Sequence, residues 1–218
     1  MADIFHEVDE EVRRERLQKL WERYSIYIIA AAVLAVVAMA AWRGYVWWDE
    51  KNAAAAGAAF EAALNLSDEG KHAEAEAAFA KIETNAPAGY RILARLRAAA
   101  ELAQTKPADA VKAYDAIAAD ASLGQTLQDL AAVRAGMLLV DTAPLAEMKR
   151  RLDPVADPGH AFRHTARELL ALSAWRNHDV TAARHYLDMI ASDGETPPGA
   201  RARADILSAL IAAGGGKS

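Results

Sequence analysis

Hydrophobic and polar positions fall into two regimes along this chain. Residues 25–42 read SIYIIAAAVLAVVAMAAW and carry no formal charge. Beyond them apolar positions recur every three or four residues, Ala is very abundant, and no stretch alternates with period two. The second regime predicts amphipathic helices and an all-α domain. The uncharged run, as a helix rising 1.5 Å per residue, would be about 27 Å long, close to the hydrocarbon core of a bilayer. A helix satisfies its own backbone groups, so it can cross lipid. Trp21, Tyr24 and Tyr27 mark one end, and Trp42, Tyr45, Trp47 and Trp48 the other. Such aromatics prefer the membrane–water interface. The reading is a segment 1–24, a transmembrane anchor with its flanking aromatics at 25–48, a helical domain at 51–213 and a disordered tail at 214–218.

Lysines and arginines near the span give its orientation. Arg13, Arg14, Arg16, Lys19 and Arg23 precede it, whereas Arg43 and Lys51 follow closely. The positive-inside rule counts basic residues rather than net charge, so the N-terminal acids do not cancel this bias. The N-terminus is expected in the cytoplasm and the large domain across the membrane. A small-x-small triplet, Ala38-Met39-Ala40, resembles a cleavage site. A cleaved signal peptide, however, has a short basic n-region. Here that region is long and holds Asp3, Glu7, Asp9, Glu10, Glu11, Glu15 and Glu22. An uncleaved signal anchor is expected. Before it, Ile4, Phe5, Val8, Val12, Leu17 and Leu20 recur at helical intervals. They predict an amphipathic helix running into the span from about Asp9.

The domain shows an internal repeat. In GKHAEAEAAFAKIETNAP, from residue 70, a small turn residue is followed by Ala75, Phe79, Ile82 and Pro87. Ala75 and Phe79 lie one helical turn apart on one face. The Ala-x-x-x-aromatic pair returns as Ala110 and Tyr114, with Ile117, and as Ala182 and Tyr186, with Met189. The offsets are 35 and then 72 residues, the second being two periods of 36. The skipped unit centres on Ala146, with Arg150 in the aromatic place and Asp153-Pro154 ending it. This pattern resembles the tetratricopeptide repeat. Each unit of such a repeat is a helical hairpin that buries its apolar face only against its neighbours. The expected fold is therefore all-α, one transmembrane helix followed by a tetratricopeptide-repeat-like solenoid.

Turn signals place the hairpins at 51–66 with 72–85, 88–104 with 107–120, 123–140 with 143–152, and 159–177 with 179–192. Pro107 and Pro144 suit first helical turns. Thr142 and Asp179 suit N-caps. After Pro197-Pro198 a last helix, about 199–213, would close the open end.

Composition narrows the chemistry. Without Cys, thiol catalysis and disulfides are excluded. A net charge of −5 and a pI of about 5.7 give no footprint for nucleic acid. There is no phosphate-cradling Gly-rich loop and no nucleophile elbow. His160, His164 and Glu168 share one expected helix face, a spacing that can hold a metal. The central Glu of HExxH is missing, so a solvated face is the plainer reading and no metal or cofactor is expected. His178 and His185 read as surface residues. First helices of tetratricopeptide hairpins line a groove. Counting back from Ala110 and Ala182 by fifteen residues gives Arg95 and Arg167, with Arg91 and Arg163 one turn earlier. Arginine forks suit carboxylates and peptide carbonyls, which makes these four candidate groove contacts. The alternative is ion pairing with acids on adjacent helices.

The anchor ending in AWRGYVWW, the helix beginning DEKNAAAAGAAFEAAL and the stretch YRILARLRAAAELAQ together resemble the YfgM-like family. These are ancillary subunits of the bacterial Sec translocon. The resemblance implies a non-enzymatic, single-pass inner-membrane protein with a periplasmic repeat domain. It implies association with the translocon, with a membrane-anchored periplasmic chaperone related to peptidyl-prolyl isomerases, and with exported polypeptides. An envelope-assembly or cell-division scaffold built on the same repeats is the other reading.

Overall fold

Alanine at most inward positions, with one larger apolar residue per turn, gives helices that approach closely and stack. The computed structural model describes the backbone of residues 3–214 and the side chains of residues 21–213. The helices are α1 (Asp3–Asp68), α2 (His72–Asn85), α3 (Ala88–Thr105), α4 (Pro107–Ala118), α5 (Gly124–Leu139), α6 (Leu145–Ala156), α7 (Arg163–Arg176), α8 (Val180–Ser192) and α9 (Pro198–Gly214). A single 3-10 turn, Ala121–Leu123, precedes α5. No strand occurs among the described residues. Gly214 closes α9, and the remainder of the expected tail lies outside the described residues. So do the side chains of the first twenty residues, on which the expected amphipathic face depends.

The chain divides into two compact units, Met1–Ala55 and Ala56–Ser218. The first holds the uncharged run. Its helix is long and apolar enough to cross a membrane, with a mean hydropathy of 2.3 over its most apolar window and none of that window buried. Ile26, Leu34, Met39 and Trp42 stand fully out from the helix. A helix with such an uncovered apolar surface is not the core helix of a soluble domain. Lys51 places its ammonium over the Trp47 ring at 5.3 Å, and Arg23 sits 6.0 Å from the Tyr24 ring. These cation–π contacts put a charge beside an aromatic near either end of the run.

The second unit is a stack of antiparallel hairpins. Each helix packs on the next in sequence, and α5, α7 and α9 also touch one another. Three core clusters follow one another along the stack. Ala63, Ala75, Phe79, Ile82, Ala94 and Ala98 join the end of α1 to α2 and α3. Phe60 meets Phe79 edge to face at 5.2 Å within this cluster. Ala99, Tyr114, Ile117, Ala131 and Ala135 join α3, α4 and α5. The largest cluster, with Met148, Leu152, Leu170, Leu187 and Ile190, joins α5 through α9.

The second helices share one inward register. It runs through Ala75, Phe79 and Ile82, then Ala110, Tyr114 and Ile117, then Met148, Leu152 and Val155, then Ala183, Leu187 and Ile190, all buried. Two expectations change here. The third unit is not degenerate. It is displaced by two residues from Ala146 and Arg150, both of which are exposed, and carries Met and Leu where an Ala–aromatic pair was sought. In the fourth unit Ala183 rather than Ala182 lies fully inside; Ala182 is half-buried, while Tyr186 remains buried and donates to Asp153 at 2.7 Å. Pro154 does not end its helix, because α6 continues to Ala156. The lost backbone bond is offset by burial of Val155 and Ala156 in the core. Gly136 on α5 lets Leu152 approach so closely that a Cβ would stand 2.9 Å from its Cδ1.

Helix ends explain the spacing of the hairpins. After α1, Lys71 N–H bonds to Leu66 O and Gly70 N–H to Ser67 O, each at 2.9 Å, a Schellman closure with Gly70 at φ 75°. Asp179 caps α8 by accepting from Ala182 N–H at 2.9 Å, as expected of it. Thr142 does not cap α6, whose preceding residue is Pro144. The end of α7 repeats the Schellman pattern, with Asp179 N–H on Ala174 O at 2.9 Å and His178 N–H on Trp175 O at 3.0 Å. Here His178 occupies the left-handed position at φ 61°. A non-Gly residue pays about 1–2 kcal/mol for that conformation, partly offset because Gly loses more freedom on folding. Replacing His178 with Gly should therefore stabilise the domain by about 0.5–1 kcal/mol. Thermal denaturation measures this. A lower midpoint would mean that the His178 side chain contributes more than its backbone costs.

Candidate functional site

Arginines on the first helices of the hairpins face two kinds of surroundings. Arg95 on α3 donates to Asp120 Oδ2 at 2.8 Å and lies 3.8 Å from Glu83. Arg167 on α7 is buried; it donates to Ala156 O at 2.8 Å, Met189 O at 3.3 Å and Asp193 Oδ2 at 2.9 Å. Arg163 donates to Asp193 at 2.8 Å and to Glu195 at 2.5 Å. Arg91 is exposed. Of the four candidate groove contacts, Arg167 is therefore corrected to an internal clamp. Its donors are taken up by the end of α6 and the turn after α8, so none is left for a partner. Arg163 and Arg95 are engaged in the same manner at the domain's edge.

The two clamps are one device used twice. In each, an Asp just past a second helix accepts the N–H two residues on, Ser122 to Asp120 at 3.1 Å and Glu195 to Asp193 at 3.0 Å. Each Asp also takes an arginine from the paired first helix. A turn whose carboxylate already has backbone and side-chain donors fixes where the next hairpin starts. Hydrogen bonds from Ser122, and then from Arg95, hold the Asp120 carboxyl below its ordinary range. Asp193 is held well below it, first by Arg163, then by the Glu195 N–H and Arg167.

The expected His face is dispersed. His160 precedes α7 and donates to the buried Asp129 on α5 at 2.8 Å. His164 is buried, with its Nδ1 3.2 Å from the Thr196 hydroxyl, and burial pushes its pKa down. Glu168 accepts Arg203 at 2.5 and 2.7 Å. No group of three or more His, Asp or Glu residues able to hold a metal occurs among the described residues. His185 is exposed on α8 and stacks edge to face on Tyr186. Another buried acid, Glu101, accepts the Ser67 hydroxyl and His72 Nδ1, each at 2.7 Å, tying α3 to the first hairpin.

An open groove of about 470 Å³ crosses the first helices of three successive hairpins. Phe60 of α1, Leu93, Leu96 and Ala100 of α3, and Leu130 of α5 form its apolar floor and rim. Arg97 and Arg134 stand on it, both exposed, with the buried Tyr114 between the helices. Burial pushes the Tyr114 hydroxyl up, and the charges of Arg134 and Arg97 oppose that shift. These arginines escaped the repeat count because it was anchored on the second helices. Their signal was present: Leu93-x-x-x-Arg97 returns as Leu130-x-x-x-Arg134, 37 residues later.

Two outcomes follow from the clamps. Arg167→Ala leaves buried carbonyls and a carboxylate short of a donor and should destabilise the domain by about 2–4 kcal/mol. Exposed Arg91→Ala should stay within about 0.5 kcal/mol; urea denaturation of both separates them. Stability should also fall with acid. His164 has a folded pKa below its unfolded one, so its contribution is full above about pH 6.5 and erodes below it. Asp193 adds a second loss that begins near the ordinary carboxyl pKa of about 4 and continues as pH falls. Melting midpoints against pH should show both losses, and Asp193→Asn should remove most of the lower one.

Comparison with known proteins agrees with this architecture. A family described as a tetratricopeptide repeat-like domain matches residues 18–170. The match begins before the uncharged run and ends inside α7. Neither curated proteins nor solved structures yield a match. With most of its length covered and its helical hairpins in repeat register, the chain belongs to the tetratricopeptide repeat-like domain family.

Proposed function

We propose that this protein is a non-enzymatic adaptor of the bacterial inner membrane, associated with the Sec translocon. Its repeat domain would lie in the periplasm and bind a membrane-anchored, peptidyl-prolyl isomerase-like chaperone, newly exported polypeptides, or both. Tetratricopeptide-like repeats are protein-interaction modules, which gives the domain its general role. The observation that carries the reading is the coupling of such a domain to an uncovered, 0%-buried apolar helix within one family match. The five-to-two excess of basic residues before the span supports a cytoplasmic N-terminus. The resemblance of the span and the first repeats to YfgM-like proteins supports the translocon and its chaperone as partners. Ala30, Ala31, Ala32, Ala35 and Ala38 offer small side chains for lateral contact with another membrane helix.

The division of labour is testable in one set of membranes. A reporter active only outside the cytoplasm, fused after Ser218, should be active. Crosslinking should recover the Sec channel with the full chain, and replacing residues 25–48 by an unrelated anchor should reduce that recovery while chaperone binding persists. An inactive reporter would reverse the orientation. Recovery of peptidoglycan or division machinery in place of the channel would replace this reading with an envelope scaffold.

A further inference from the structure

We infer that the groove across α1, α3 and α5 binds an extended segment of a partner polypeptide that carries apolar side chains and a carboxylate. The inference rests on the protein-binding reading above and names the chemistry recognised. Leu93 is half exposed although it stands beside Phe60, Leu96 and Leu130 in one groove. An apolar surface of that kind, rimmed by polar residues, marks an interaction site. Two cations, Arg97 and Arg134, stand on the same groove, and neither has a carboxylate within ion-pair distance among the described residues. The nearest acid by its influence on the same Tyr114, Glu101, is buried and already accepts from Ser67 and His72. By contrast Arg95, Arg151, Arg163, Arg167 and Arg203 in this domain all reach internal carboxylates. The groove thus holds uncompensated positive charge over an apolar floor. That combination favours an acidic apolar chain and disfavours a basic one.

The repeated Leu-x-x-x-Arg unit gives the site its direction. Each unit sets a leucine and an arginine one turn apart on one helix face. Two units on neighbouring first helices offer alternating apolar and cationic stations, as an extended peptide offers alternating side chains. The groove is open along its length rather than a closed tunnel, which suits a polypeptide better than a lone acyl chain.

The full-length protein in detergent would be titrated against an array of short fluorescent peptides. In these, Leu and Glu positions are permuted, with matched Gln and Lys versions of each. Peptides with Leu and Glu should bind best, and their Gln and Lys versions more weakly. Arg97→Ala with Arg134→Ala should weaken binding of the Glu peptides by about tenfold or more, with the far-UV spectrum and melt unchanged. Arg97→Glu with Arg134→Glu should shift preference toward the Lys peptides. Equal binding of Glu and Gln versions, no binding across the array, or no effect of either double variant would overturn the inference. Displacement of a bound peptide by oleate at lower concentration than by unlabelled peptide would reassign the groove to lipid and also overturn it. A dimer in light scattering that Leu93→Asp dissociates would reassign it to a second copy. If partners are still crosslinked from membranes while the array fails, this groove chemistry is wrong and the adaptor reading stands. If both fail, the adaptor reading falls as well.

Discussion

Close approach of helices through alanine is the constraint on which this domain depends. Ala63, Ala75, Ala94, Ala110, Ala131, Ala135, Ala166, Ala171, Ala174 and Ala183 are completely buried. Each takes up so little space that two helix backbones can lie nearly in contact, and the next hairpin's larger residue then fills the remaining gap. Phe79, Ile117, Leu152 and Ile190 are those larger residues, and all are buried. Enlarging an alanine in such a seam forces the helices apart and costs about 1–3 kcal/mol. Because each hairpin rests on its neighbours, strain at one seam passes along the stack.

Polar contacts do a different job. The apolar seams leave hairpins free to slide or tilt, since apolar contact is non-directional. The Arg95–Asp120 and Arg167–Asp193 clamps, with the His160–Asp129 and His72–Glu101 links, supply direction. Each joins a helix to a turn or helix of an adjoining element, and three of the four acids hold further donors as well. A charge-assisted bond at a fixed turn sets the register between elements that packing alone would leave loose. The arginines not used in this way, Arg97 and Arg134, remain on the groove surface. Structural and recognition arginines thus sit two residues apart on one helix, and only what faces them separates the roles.

Much of the fold could be read from the order of residues. The uncharged run declares a membrane-competent helix because length and lack of charge are local properties. Gly70, Pro107 and Asp179 mark turns for reasons confined to a few backbone bonds. The Ala-x-x-x-aromatic pair exposes the first two hairpins, since an i, i+4 pair lies on one face of any helix. The third hairpin hid because packing asks for volume, and Met148 with Leu152 supplies it without an aromatic. Pro154 was misleading in the same way, because its cost to the helix is outweighed by burial beyond it.

Function-bearing positions needed the tertiary arrangement. Arg95 and Arg167 recur with the repeat, and recurrence cannot tell a clamp from a contact. That distinction depends on whether the following turn brings an aspartate within reach, which happens 25 and 26 residues later in the chain. The groove likewise joins α1, α3 and α5, whose residues lie far apart in sequence and meet only when hairpins stack. Sequence by itself determined the helices, their apolar faces and the period, because these follow from local backbone bonding and side-chain spacing. The tertiary structure decided which arginines are spent inside and which remain free, because charge compensation is a property of distance in space.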